Sequence, residues 1–200
     1  MPLIEWSASA WSLIEGDASG DRCVVKIMED GALVAAVDGL GHGPEAATAA
    51  EAATALLEMY AGEPLIQLVS RCHEGLRKSR GVVMSLASFS GRDHTMIWLG
   101  VGNVEGVLIR RVQTVNAARE TILLRGGIVG YQLPPLRATT VPVIRGDTLI
   151  FATDGIRQGF ADGVTPGRPT QEILDSILAS YRKTTDDGLV VVARYLGGGP

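Results

Sequence analysis

The sequence predicts an α+β chain in which antiparallel sheets carry helices packed on their outside. Short apolar runs follow one another through tight turns rich in Gly, Asp and Asn, a pattern that joins strands as hairpins. Strands joined in this way outnumber crossover units, which argues against a doubly wound parallel sheet. Hydrophobic residues make up 46% of the chain and mean hydropathy is +0.20, enough apolar material for a substantial core.

Ile4, Trp6, Ala8 and Ala10 alternate with polar residues and predict a first strand. Residues 23–28 form a second, Glu29-Asp30-Gly31 is a hairpin turn, and 32–37 return as a third. Pro44 suits the first turn of a helix running to about residue 60. Gly62 ends that helix, and Pro64 opens another to about residue 78, with Leu65, Leu68, Val69, Cys72 and Leu76 on one face. Residues 82–89 and 95–101 make a hairpin around Gly91-Arg92-Asp93, and Gly102-Asn103 turns into a strand over 104–110. Further strands are expected at 121–124, 139–143 and 149–153, with a Gly/Pro-rich loop at 126–135. A helix over 171–181 has Thr170 as its expected N-cap, and 189–196 is a final apolar strand. The three tryptophans, Trp6, Trp11 and Trp98, read as core or sheet-face packing.

Two hundred residues fit one domain, 1–200, with no internal repeat or linker. A net charge of −4 and a pI near 5.4, with no basic run, argue against a nucleic-acid partner. Cys23 and Cys72 are too few and too isolated for a zinc site or a disulfide framework, and read as buried free thiols. The N-terminus lacks a basic region ahead of an apolar core, and no segment is apolar for the length of a membrane span. A reducing cytoplasm, away from any membrane, is the expected compartment.

The chemistry concentrates at aspartates beside strand ends. Asp38-Gly39-Leu40-Gly41-His42-Gly43 lies between an apolar strand and a helix N-terminus, where a glycine-rich turn lets backbone approach a ligand. Asp21 follows Gly20 at the start of a strand, Asp154 precedes Gly155 after an apolar run, and Asp186-Asp187 precede the last strand. Taken singly, each is an ordinary turn residue. Gathered by neighbouring strands, they repel one another: two like charges 4 Å apart cost about 4 kcal/mol at an effective dielectric of 20. Such a cluster needs protons or cations, and oxygen-only ligands select hard divalent ions, Mg²⁺ or Mn²⁺. A dinucleotide fold is disfavoured because Pro44 stands where the third glycine of its fingerprint belongs. A calcium loop would need alternating acidic ligands, and these are missing after Asp38. His73 and His94 lack ligand-spaced partners and read as surface or hydrogen-bonded side chains.

Ser19-Gly20-Asp21, the run from Asp38 to Gly43, Gly100-Val101-Gly102-Asn103, Thr153-Asp154-Gly155 and Asp186-Asp187 occur in the order found in metal-dependent protein phosphatases of the PP2C type. The chain most resembles their bacterial SpoIIE/RsbU branch, from about Ser7 to Leu196. The short length without a sensor domain, the Asp-Gly-Leu-Gly-x-Gly form and Lys78-Ser79-Arg80-Gly81 before a strand resemble the stand-alone phosphatases of stressosomes.

That resemblance implies an αββα sandwich of two antiparallel sheets flanked by helices, with metals at one end. It implies Asp38 as the carboxylate bridging two Mn²⁺ or Mg²⁺ ions, the Gly39 carbonyl in the same shell, and Asp154 and Asp186 as further ligands. Asp21 matches an acid that binds metal directly or through water, and Asp187 is the weaker of its pair. Asp38 and Asp21 are thereby the catalytic candidates. Gly102-Asn103 matches a structural turn. The implied activity is hydrolysis of phosphoserine or phosphothreonine by metal-activated water, without a covalent enzyme intermediate. The implied substrates are phosphorylated STAS-domain scaffold proteins of a stressosome. Residues 126–137 and 157–168, with Arg137, Arg157 and Arg168, are candidate docking surfaces. The rival reading is a degenerate or merely metal-binding phosphatase fold that docks a partner without catalysis. Leu40 stands where eukaryotic relatives carry a His regarded as general acid, His42 is two residues away, and Leu189 replaces a common Thr. No Arg near the N-terminus matches the phosphate-binding Arg of eukaryotic relatives. The general acid and the phosphate-holding group are therefore unassigned.

Overall fold

The computed structural model describes residues 2–13, 18–112 and 118–197, which include every candidate site residue. Among them the chain forms, in order, β1 (Ile4–Trp11), β2 (Asp21–Ile27), β3 (Gly31–Gly39), α1 (Pro44–Met59), α2 (Leu65–Gly75), β4 (Val82–Ser90), β5 (Thr95–Val101), β6 (Glu105–Ile109), β7 (Arg119–Thr121), β8 (Leu124–Arg125), β9 (Thr139–Pro142), β10 (Thr148–Ala152), α3 (Thr170–Tyr181) and β11 (Gly188–Tyr195). One sheet has the order β1-β11-β10-β6-β7 and the other β2-β3-β4-β5-β8, with β9 also pairing β5. All these pairings are antiparallel except β5 with β8.

The apolar runs are continuous because each sheet is covered on both faces. In β3, Ala32, Val34 and Ala36 join the core between the sheets, while Leu33, Ala35 and Val37 pack beneath α1 and α2. In β11, Leu189, Val191, Ala193 and Tyr195 face the other sheet, while Val190 and Val192 pack against α3. Three apolar layers thus separate four structural layers, the αββα sandwich. Truncating a buried anchor such as Leu57 or Leu68 to Ala, both fully buried, costs roughly 2–5 kcal/mol.

Three expectations need correction. The strand expected at 121–124 is two strands: β7 pairs with β6 in one sheet, and β8 pairs with β5 in the other. The chain changes sheets at Ile122, whose N–H donates to the Gly106 carbonyl at 2.9 Å. Alternation carries through the switch, with Ile122 buried and Leu123 exposed, so the pattern gives no sign of it. α2 stops at Gly75; Leu76 stays buried, but Ser79 closes a turn onto the Leu76 carbonyl. Thr170 is the first helical residue of α3 and Pro169 the N-cap; the Thr170 hydroxyl instead meets Ser7 Oγ at 2.9 Å. Of the tryptophans, Trp98 is buried, whereas Trp6 is half-exposed.

The site is positioned where strands of both sheets end together. The Gly39 N–H donates to the Gly20 carbonyl at 3.0 Å, and the Thr153 N–H to the Leu189 carbonyl at 3.1 Å. α1 starts directly over this end. A Cβ on Gly39 would lie 2.2 Å from the Ala46 carbonyl oxygen, so only glycine lets helix and strand approach this closely. Among the described residues, no helix is long and apolar enough to cross a membrane.

Candidate active site

Asp21 opens β2 and Asp38 is the second-last residue of β3, and the two are direct partners in the antiparallel register. Both lie on the face turned toward the other sheet, two residues along from Cys23 and Ala36, which pack in the inter-sheet core. Strand alternation therefore aims them at the gap between the sheets. Asp21 is only 4% exposed; its Oδ2 accepts a hydrogen bond from Thr153 Oγ1 at 2.6 Å. The same hydroxyl oxygen accepts the Leu189 N–H at 2.8 Å, tying the carboxylate to two strands of the opposite sheet.

Asp154 follows β10 on the exposed side of the cleft. Its Oδ2 accepts from Asn103 Nδ2 at 3.1 Å, and its carbonyl accepts from Lys183 Nζ at 2.5 Å. Asp186 is exposed just before β11, with its carbonyl accepting the Trp11 indole N–H at 3.2 Å. Asp21, Asp38, Asp154, Asp186 and Asp187 line one cavity of about 400 Å³, together with Asn103 and His42. The carboxylates that the sequence scatters over more than a hundred and sixty positions thus share a single cleft.

Asp186 and Asp187 differ in what they hold. Asp187 Oδ1 accepts the Leu13 N–H at 2.7 Å and Oδ2 accepts the Gly20 N–H at 3.0 Å. Both its oxygens therefore fasten backbone on either side of the β1–β2 connection. The side chain of Asp186 is left facing the cavity.

Crowding shows in the acidities. Burial, reinforced by the Asp21 charge, pushes the Asp38 carboxyl far above the ordinary carboxylate range. Burial likewise raises Asp21, against the lowering effect of the Thr153 hydroxyl. Asp186, although exposed as a residue, is raised by partial desolvation of its carboxyl and then by the Asp154 charge. Among the described residues, no three His, Cys, Asp or Glu side chains are already disposed as a metal shell. The carboxylates are held instead by Thr153, Asn103 and one another. The donor set is nevertheless all oxygen, acidic and partly desolvated, which suits a hard divalent cation: such an ion would offset the carboxylate repulsion.

The cysteines take no part. Burial pushes Cys72 up to about 12 and raises Cys23, so neither thiol is the thiolate a covalent mechanism needs. His73 Nδ1 accepts the Gly130 N–H at 2.9 Å, and His94 Nδ1 lies 2.8 Å from the Tyr195 hydroxyl, the hydrogen-bonded roles expected of them. Two site residues escaped the sequence reading. Thr153 and Asn103 stand inside the quoted motifs, but their role at the cavity depends on contacts with Asp21 and Asp154, 132 and 51 positions away. Of the arginines expected to steer a partner, Arg157 donates to the Ser180 and Arg182 carbonyls and Arg168 pairs with Glu172, whereas Arg137 is exposed.

This geometry has counterparts. The family described as Stage II sporulation protein E (SpoIIE) matches residues 29–196. The chain belongs to the SpoIIE family. Members are phosphatases of the PP2C type, and the αββα sandwich is theirs. The phosphoserine phosphatase RsbX of Bacillus subtilis (strain 168) is 24% identical over 174 residues, covering 86% of this chain and 85% of that protein. A solved structure of RsbX in complex with magnesium superposes with a TM-score of 0.85 at 22% identity, over 96% of this chain and 95% of the other. A chain from a structural study of the bacterial stressosome, described as a modular system adapted to control secondary messenger signaling, is 32% identical. Its TM-score is 0.83, over 96% of this chain and 99% of its own length. Dependence on Mg²⁺ or Mn²⁺ is a general property of the PP2C-type family to which this SpoIIE member belongs.

Proposed function

We propose that this SpoIIE-family phosphatase hydrolyses phosphoserine or phosphothreonine on STAS-domain scaffold proteins of a stressosome in the cytoplasm. Two Mn²⁺ or Mg²⁺ ions would be held by Asp21, Asp38, the Gly39 carbonyl, Asp154 and Asp186. The observation that carries the site is the direct pairing of Asp21 with Asp38 in a cleft whose other wall presents Asp154 and Asp186. The substrate reading is supported by the likeness to RsbX and to the stressosome chain.

Bound divalent ions supply positive charge against the phosphoryl oxygens and can lower the pKa of a coordinated water to about 7. The residues supply the rest. Asp38, at the end of β3 just before the α1 turn, would be one of the carboxylates that hold the ions. Thr153 fixes one oxygen of Asp21, and Asp21 lines the cleft. Asn103 orients Asp154, and Asp187 secures the backbone beside Gly20 so that Asp21 keeps its place. His42, exposed at the rim, is within the cavity lining and is available to carry a proton to the departing hydroxyl.

The test is release of phosphate from phosphorylated STAS scaffold proteins and from an unrelated phosphopeptide panel, at equal concentration, with Mn²⁺ and with EDTA. Faster, EDTA-sensitive release from the scaffold proteins is expected. Equal rates on both leave a generic phosphatase and defeat the stressosome reading. Activity that persists in EDTA, or a trapped phosphoenzyme, defeats the metal reading.

A further inference from the structure

Arg80 reaches the cavity rim from outside the carboxylate motifs. Its turn is pinned from several sides. The Leu40 N–H donates to the Gly81 carbonyl at 3.1 Å, and the Val82 N–H to the Val129 carbonyl at 2.9 Å. Ser79 Oγ accepts the Gly81 N–H at 3.1 Å and donates to the Leu76 carbonyl at 2.8 Å. This framework lays the guanidinium over Gly41, which lines the cavity. Gly41 has φ +87°, and a Cβ there would lie 2.8 Å from Arg80 Nη1, so glycine both permits the turn and leaves room for the guanidinium.

The charge around it is lopsided. The cavity lining contains five aspartates and no Lys or Arg. Lys183 is committed to the Asp154 carbonyl. Arg80 Nη2 pairs with Glu45 in the first turn of α1, and the two side chains are 50% and 69% exposed. An ion pair this exposed contributes little net stability and is readily exchanged. A phosphate monoester carries more charge than a carboxylate and matches the guanidinium fork with two parallel hydrogen bonds.

We propose that Arg80 binds the phosphoryl group of the substrate at the rim of the carboxylate cavity, releasing Glu45 as it does so. Glu45 is then a place-holder that competes with the substrate. This assignment rests on the reading that the cavity hydrolyses phosphoproteins.

The two partners of a structural ion pair fail in the same direction when removed; a binding residue and its competitor move in opposite directions. The experiment uses the full Mn²⁺-loaded chain with Arg80→Ala, Arg80→Lys, Glu45→Gln and the Arg80→Ala/Glu45→Gln double variant. Calorimetric binding of inorganic phosphate is read beside KM and kcat on a phosphopeptide. Arg80→Ala is expected to weaken phosphate binding and raise KM by about tenfold, a loss typical of a charge-assisted hydrogen-bond donor, with a smaller change in kcat. Arg80→Lys recovers part of the loss. Glu45→Gln tightens phosphate binding and lowers KM, and that gain vanishes in the double variant. The proposal is overturned if Arg80→Ala and Glu45→Gln shift phosphate affinity in the same direction. It is equally overturned if Arg80→Ala changes only the phosphopeptide KM, which would place the contact on the peptide. Should Arg80→Ala not fold, the sign of the Glu45→Gln shift decides. Absence of hydrolysis in the unsubstituted chain would count against the functional reading, whereas phosphate binding that follows the Arg80 and Glu45 pattern would still uphold the assignment.

Discussion

Asp21 and Asp38 stand directly opposite one another across the β2–β3 pair, with both side chains on the buried inter-sheet face. Neighbouring cross-strand carboxylates are destabilising, and desolvation between two sheets sharpens the conflict. Such a pair adds repulsion rather than stability unless protons or a cation offset it.

That pair makes metal-free stability depend on pH. Both carboxyls are raised above the ordinary value of 3.8, Asp38 to about 9 through burial and then the Asp21 charge, and Asp21 to about 7 through burial, opposed by the Thr153 hydroxyl and reinforced by the Asp154 and Asp187 charges. Between those limits the folded chain holds protons that the unfolded chain has released. Their contribution is complete below about pH 4 and is lost as pH rises through the folded values. Melting in EDTA should therefore show Asp38→Asn gaining stability relative to the unsubstituted chain as pH goes from 5 to 9. A gap between the two that stays constant or narrows over this window contradicts the buried pair.

Asp38→Asn should abolish turnover while leaving the fold intact. If Asp38 holds metal as proposed, neutralising it removes charge that would draw the ion, and both hydrolysis and Mn²⁺ affinity are expected to collapse. Phosphate release and calorimetric Mn²⁺ titration on the same preparation check this. Near-normal turnover would remove Asp38 from the metal site.

Asp186 and Asp187 should separate cleanly. Asp187→Ala strands the Leu13 and Gly20 N–H donors, a loss of about 1–3 kcal/mol in stability. Asp186→Ala, exposed and without such a role, should cost little stability and weaken Mn²⁺ binding. Chemical denaturation and metal titration of both variants decide, and the reverse pattern would exchange their roles.

His42→Ala should be tolerated better than Asp38→Asn. His42 is exposed at the rim rather than held among the carboxylates. General acid catalysis typically contributes about 10²–10⁴-fold. A loss in that range, recovered on substrates with better leaving groups, would make His42 the acid.

Much of this was legible from local pattern. Apolar runs, turn glycines and Pro44 locate the strands and α1 because these depend on neighbours in sequence. The ordered acidic motifs indicate a PP2C-type phosphatase and single out Asp21, Asp38, Asp154 and Asp186. The switch of sheets at Ile122 and the Thr170 contact with Ser7 were not legible, since each depends on which distant strand lies alongside.

The sequence by itself determined most of the elements, the α+β class and the family resemblance. Tertiary structure alone decided which acid is tied to backbone. Asp186 and Asp187 are identical in chemistry and adjacent in sequence, yet backbone donors from Leu13 and Gly20 claim both oxygens of one and leave the other to the cavity. Thr153 acquires its role in the same way, from a carboxylate 132 positions away. The physical reason is that hydrogen bonds and charge repulsion act over a few ångströms of space, and only the packing of two sheets brings these partners within that range.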